Sequence, residues 1–227
     1  MLWAKNVVFA IFSIIIALLT LIFYPVDLKG RVSNLLLKIW TNFTLFIYGV
    51  KVNVAGSEYL SSSAGKIYIS NHSSYLDIFV LLAKIPDNIR MIYKRELTRM
   101  PLIGWAMLAA GFVPIDRRNA RSAMGSFDKA AKKMKKGISF VIFPEGTRSM
   151  NGDVGDFKRG LFILAEKTET DIIPVTLSRT NALLPRDSLK LKPGNVDLVI
   201  GRPMKFKKEK EFLNEIKEVI VSNLKKV

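Results

Sequence analysis

"KIYISNHSSYLDIFVLLAKI", residues 66–85, switches character midway. "KIYIS" is a short apolar run with β-branched residues, the composition of a buried strand, and "SYLDIFVLLAKI" carries its apolar residues at helical spacing. The residues between them, with Ser73 or Ser74 as a helix N-cap, read as the loop of a strand–loop–helix unit.

The same alternation recurs along the chain. "KVNV" (51–54), "RMIY" (90–93), "GFVPI" (111–115), "ISFVIF" (138–143), "DIIPVTL" (171–177) and "VDLVI" read as further strands. Helical stretches fall among them, namely "PLIGWAMLAA", "SAMGSFDKAAKKMKK", "RGLFILAEKT" and a final "KEFLNEIKEVIVSNLKK". Gly111 and Gly137 stand where C-cap glycines belong. The pattern predicts a single α/β domain over residues 51–227, with a mixed, largely parallel sheet flanked by helices. Ligands of such folds sit beyond the carboxyl ends of strands. His72 follows one predicted strand and "PEGTRS" (144–149) follows another.

Residues 1–50 differ in kind and predict a membrane-associated helix pair. From Asn6 to Val26 there is no charge, and a helix of that length reaches roughly 30 Å, a bilayer core. A cleaved signal peptide competes, but the run is long for one and no A-x-A site follows. After the turn "PVDLKG" (25–30), Asn34, Lys38, Thr41 and Asn42 form a polar stripe opposite Leu36, Ile39, Trp40, Phe43 and Ile47, the pattern of an amphipathic helix. Lys29, Arg31, Lys38 and the basic remainder outnumber Lys5, which places the following domain on the cytoplasmic side of an inner membrane.

Of 227 residues, 35 are Lys or Arg and 19 Asp or Glu, a formal net charge of +16, yet 49% are hydrophobic. Basicity combined with apolarity suits membrane lipids and acidic substrates. A membrane-tethered nucleic-acid-binding protein is a remote alternative that the basicity permits, but nucleic acid is not the expected partner, because no recognition helix or aromatic platform is visible and the basic residues are spread out. Even the "AKKMKKG" run (131–137) reads equally as membrane surface or solvated helix face. With no Cys and one His, a Cys nucleophile and thiolate or multi-histidine zinc sites are excluded. No metal or cofactor is expected, and any imidazole base must be His72.

Asp77, in the second turn of the helix after His72, is placed to accept a hydrogen bond from one ring nitrogen and leave the other free for a proton. The plain alternative is a capping histidine and a solvated aspartate. "FPEGTRS" (143–149) offers a Gly turn, small hydroxyl residues and Arg148 for bidentate phosphate contact. "FKRG" (157–160) adds Lys158 and Arg159 ahead of a helix, and "GFVPIDRR" puts Arg117 just past a strand. Three basic loops at strand ends point to a phosphate-bearing substrate.

These motifs resemble the PlsC-type glycerolipid acyltransferases, specifically the 1-acyl-sn-glycerol-3-phosphate (lysophosphatidate) acyltransferases. N-H-x4-D is matched by Asn71, His72 and Asp77, and the second motif by "KRELTRMPLIG" (94–104) through Gly111, Ile115, Asp116 and Arg117. The third motif is "FPEGTRS" with the downstream "FKRG", the fourth "IIPV" (172–175), and "VAGSEYL" also fits. The resemblance covers about residues 50–205. It implies that His72 is a general base aimed by Asp77, taking the proton of the 2-hydroxyl of lysophosphatidate as that oxygen attacks an acyl thioester. It implies that Arg117 and Arg148 bind the acceptor phosphate, with Lys158 a third cation and Glu145 holding the loop or the acceptor. Backbone N–H groups near Gly146 and Thr147 are the expected oxyanion donors, and Asn71, Lys94, Glu96 and Ser149 supporting residues. Transfer is expected to be direct, without an acyl-Ser73 or acyl-Ser74 intermediate. The co-substrate is acyl-CoA or acyl-carrier protein. Glycerol 3-phosphate or another lysophospholipid is the alternative acceptor, and a non-catalytic lipid scaffold the alternative role.

Overall fold

β2 (Ile67–Ser70) is buried along its whole length, because it has a strand on each edge and helices on both faces. Tyr68 packs into one helical layer, while Ile67 and Ile69 pack into the other. In the computed structural model, which describes residues 2–60, 65–158, 162–208 and 211–225, β2 is the centre of a seven-stranded sheet. The other strands are β1 (Val50–Ala55), β3 (Ile89–Lys94), β4 (Val113–Ile115), β5 (Ser139–Ile142), β6 (Ile172–Ser178) and β7 (Gly194–Ile200). Their spatial order is β1-β7-β6-β2-β5-β3-β4. Five of the six pairings are parallel and only β6 with β7 is antiparallel, so the sheet is mixed and largely parallel as expected.

The helices are α1 (Leu2–Phe23), α2 (Arg31–Tyr48), α3 (Leu76–Lys84), α4 (Ile103–Ala109), α5 (Ala120–Met134), α6 (Ile163–Thr168), α7 (Thr180–Leu183) and α8 (Glu211–Lys225). One sheet face packs against α2 and α3, the other against α5, α6 and α8. α1 lies against α2 and α4. Phe12 packs on Phe43 with centroids 4.2 Å apart, Trp40 Nε1 donates to Ser13 Oγ at 2.9 Å, and Tyr48 donates to Asn6 Oδ1 at 2.7 Å.

Two expectations about the first fifty residues change. Among the described residues only α1 is long and apolar enough to cross a membrane, so the apolar element is one helix and not a pair. The expected stripe on α2 is also redistributed, with Thr41 buried and Ile39 exposed. Wedged between α1 and α3, α2 buries two sides, and Thr41 and Thr44 meet burial by donating to the carbonyls of Leu37 and Trp40 one turn back. Its outer face is left to Leu35, Ile39 and Phe46, the last 80% exposed. On α1, Val8, Ile11, Ile15, Leu18 and Ile22 form a matching outward stripe.

Arg90 on β3 is fully buried, which its sequence context does not announce. Its guanidinium donates to the carbonyls of Ala110 at the end of α4, Ile89, and Gly30 between α1 and α2. Burial depresses its pKa to about 10, against partial support from Asp27. Asp27 in turn accepts from the N–H groups of Val32 and Ser33 at the start of α2.

Candidate active site

In the order β2-β5-β3-β4 all neighbours are parallel, so their carboxyl ends share one edge of the sheet. Lys94 ends β3 at that edge, and the loops leaving it carry His72, the 144–149 turn and Arg117. Residues separated by up to 76 positions in the chain, His72 and Arg148, thereby line one cavity of about 260 Å³.

His72 Nδ1 lies 2.8 Å from Asp77 Oδ2, and Asp77 is fully buried in the first turn of α3, one turn earlier than the sequence suggested. The same Oδ2 accepts from the N–H groups of Ser73 and Ser74 at 2.8 and 2.9 Å, so the carboxylate both aims the ring and closes the loop. Ser74 Oγ accepts from the Leu76 N–H at 3.0 Å and donates to Leu184 O. The ring lies flat on Phe143, 4.0 Å between centroids. With Nδ1 engaged, Nε2 is the nitrogen available to a substrate.

Three neighbours brace the His72 backbone. Glu145 Oε1 accepts from its N–H at 2.8 Å, and the Ser149 N–H donates to its carbonyl at 2.7 Å. Asn71 exchanges two bonds with the backbone of Leu177 on β6, at 2.8 and 2.9 Å. The second oxygen of Glu145 accepts from the Gly155 N–H, and burial raises its pKa above the ordinary glutamate value. Glu145 therefore holds the loops and is turned away from the cavity, where sequence reasoning also allowed it to meet a substrate.

Arg117 and Arg148 both reach the cavity. The Arg148 guanidinium lies 3.7 Å over the Tyr75 ring and donates to Arg186 O, while Arg186 donates back to Arg148 O. Arg186 was not foreseen; the "LPRD" turn that carries it lacks a motif, and only the fold brings it beside Arg148. Arg117 donates to Gly146 O across the rim. Lys94 lines the same cavity and pairs with Glu96 at 3.5 Å.

Lys158 does not line this cavity; it borders a neighbouring one. Arg159, which the sequence places with it ahead of a helix, lies outside the described residues. The Gly146 N–H is spent on Phe143 O at 3.1 Å, which closes the turn and leaves Thr147 as the oxyanion donor candidate. A second, apolar cavity of about 250 Å³ runs between α1, α2, α3 and α4 and shares Tyr75, Ile78, Met107 and Phe112 with the first.

Residues 51–178 match the acyltransferase family model. The chain belongs to the acyltransferase family. The chain is 35% identical over 198 residues to the chloroplastic 1-acyl-sn-glycerol-3-phosphate acyltransferase of Arabidopsis thaliana, covering 86% of this chain and 55% of that one. It is 33% identical to the corresponding chloroplastic enzyme of Brassica napus, covering 86% and 57%. It thus spans a little over half the length of these two curated relatives. The crystal structure of the 1-acyl-sn-glycerophosphate acyltransferase PlsC from Thermotoga maritima superposes with a TM-score of 0.77 over 100% of this chain and 99% of that one, at 24% identity. That likeness establishes the fold.

Proposed function

We propose that this acyltransferase moves a fatty acyl group from a thioester donor to the 2-hydroxyl of 1-acyl-sn-glycerol 3-phosphate, forming phosphatidate. The observation that carries the reading is a single imidazole, aimed by a buried carboxylate, in a cavity rimmed by two guanidinium groups and sharing four lining residues with an apolar cavity. The names of the relatives point the same way.

His72 Nε2 takes the hydroxyl proton as the oxygen attacks the thioester carbonyl, a contribution of about 10²–10⁴-fold. The imidazolium formed is stabilised by Asp77, and the Thr147 N–H faces the oxyanion. Collapse expels the thiolate, which recovers the proton from His72. Arg117 and Arg148 hold the acceptor phosphate, and an alkyl chain enters the apolar cavity. The chain needs no cofactor beyond the donor, which is acyl-CoA or acyl-carrier protein.

The outward stripes of α1 and α2, with Trp105 of α4 58% exposed, immerse in one leaflet and bring the cavity to an acceptor that never leaves the membrane. α1 is packed along the domain and bonded to Tyr48 at its start, which favours lying in the membrane surface over crossing it. The basic remainder favours the cytoplasmic leaflet.

The test is transfer from labelled palmitoyl-CoA or palmitoyl-acyl-carrier protein to lysophosphatidate or glycerol 3-phosphate, comparing wild type with His72→Ala. Phosphatidate from wild type, falling at least ~10²-fold in the variant, is expected. Product with glycerol 3-phosphate alone would replace the acceptor, and no product with any pair would leave the scaffold role.

A further inference from the structure

The peptide unit joining Arg148 to Ser149 is held at both ends. Its N–H donates to His72 O at 2.7 Å, and its carbonyl accepts from Arg186 Nη1 at 2.6 Å. One planar unit thus stands between the backbone of His72 and a guanidinium from the segment after α7. A cation on the carbonyl polarises the amide and strengthens its N–H as a donor toward His72.

The Arg148 side chain is fixed by the same neighbour. Tyr75 sets the plane of the guanidinium, and the bond from Nη1 to Arg186 O, at 2.7 Å, stops rotation within that plane. With the bond from Arg186 to Arg148 O this closes a ring, so loss of one bond loosens the other. Among the described residues nothing else is bonded to the Nε–Nη2 edge of Arg148, the edge that can make two parallel contacts to a phosphate. Neither guanidinium is bonded to a carboxylate among the described residues, so two half-buried cations held by carbonyls leave positive charge for a phosphate dianion to compensate. The segment that carries Arg186 is itself fastened to the His72 loop. Ser74 Oγ donates to Leu184 O at 2.7 Å, and Ser73 Oγ meets Thr180 Oγ1 at 3.1 Å.

Resting on the reaction proposed above, we infer that Arg186 is the positioning residue for the acceptor. It holds the Arg148 guanidinium, through the ring and the shared peptide unit, at the distance from His72 that a phosphate and a 2-hydroxyl on one glycerol require. Arg186 does not line the His72 cavity, so it touches no substrate and acts through Arg148. The donor makes no use of this contact, which confines the effect of Arg186 to the acceptor and to its phosphate.

The test uses the full chain in detergent micelles as wild type, Arg186→Met and Arg186→Lys. Position 186 is partly exposed on a loop, so folding is expected to survive, and thermal melts check it. Equilibrium binding of 1-oleoyl-glycerol 3-phosphate and of 1-oleoylglycerol, which lacks the phosphate, is read alongside KM for the acceptor and for the palmitoyl donor. Arg186→Met is expected to raise Kd and KM for the phosphorylated acceptor about tenfold or more, the loss of one charge-assisted bond. Binding of 1-oleoylglycerol and the donor KM are expected to stay within about twofold of wild type. Arg186→Lys should recover most of the loss, because the bond to Arg148 O uses a single N–H that an ammonium can supply. An unchanged acceptor in Arg186→Met would overturn the assignment. So would a loss shared equally by 1-oleoylglycerol, no recovery in Arg186→Lys, or a wild type that binds the two lipids alike. A wild type that transfers no acyl group, yet prefers the phosphorylated lipid and loses that preference in Arg186→Met, would uphold the positioning and sink the reaction instead.

Discussion

Asp77 concentrates three donors on one oxygen, and its replacement separates aiming from folding. Asp77→Asn keeps the volume but removes the charge that stabilises a protonated His72. Turnover is expected to fall ~10²–10⁴-fold, with a loss of ~1–3 kcal/mol of stability from the weakened loop bonds, read by steady-state kinetics and denaturant melts. Glu145 gives a pH signature. Burial raises its pKa above 4.5, so over the window from 4.5 up to the raised value the folded chain keeps a proton that the unfolded chain has lost. Stability from this group therefore falls as pH rises through that window. Glu145→Gln should flatten that part of the wild-type curve. It should also lower stability at all pH values by ~1–3 kcal/mol, because one of the two N–H donors now faces an amide N–H. A variant curve parallel to wild type would contradict the assignment.

Between elements, Arg90 is the joint. Its guanidinium fork connects β3 with the end of α4 and with the turn before α2, so it sets where the N-terminal helices sit on the domain. Arg90→Met leaves buried carbonyls without donors and is expected to cost ~2–4 kcal/mol in denaturant melts. Arg90→Lys should not restore the loss, since one ammonium lacks the planar fork that reaches three carbonyls. Full recovery by Lys would show that charge alone matters.

For the whole molecule, a net charge of +16 sits behind an apolar face built by α1, α2 and α4. The two should act together at a membrane. Binding to vesicles with anionic lipid should exceed binding to neutral ones, and the excess should fade as salt shortens the Debye length from ~30 Å at 0.01 M to ~3 Å at 1 M. Phe46→Asp should weaken binding to both vesicle types at every salt concentration, by about tenfold or more for one lost apolar contact of ~1.5–3 kcal/mol, and leave the melting temperature unchanged. Salt-independent binding would remove the electrostatic part.

What sequence alone determined is local. The strand–loop–helix reading of residues 66–85, the seven strands, and the meeting of His72 with Asp77 follow from periodicity and from two residues five apart around one loop. Burial period reports that a face is covered without naming what covers it. The polar stripe on α2 was misplaced because α2 is covered on two sides, and Arg90 was invisible because its three carbonyl acceptors lie on separate elements. Lys158 shared a motif with Arg148 but stands at another cavity. Glu145 was drawn inward by two backbone N–H groups from distant loops. Only the strand order β2-β5-β3-β4 set those loops side by side, because sheet order is settled by packing both faces at once, a constraint that no local window contains.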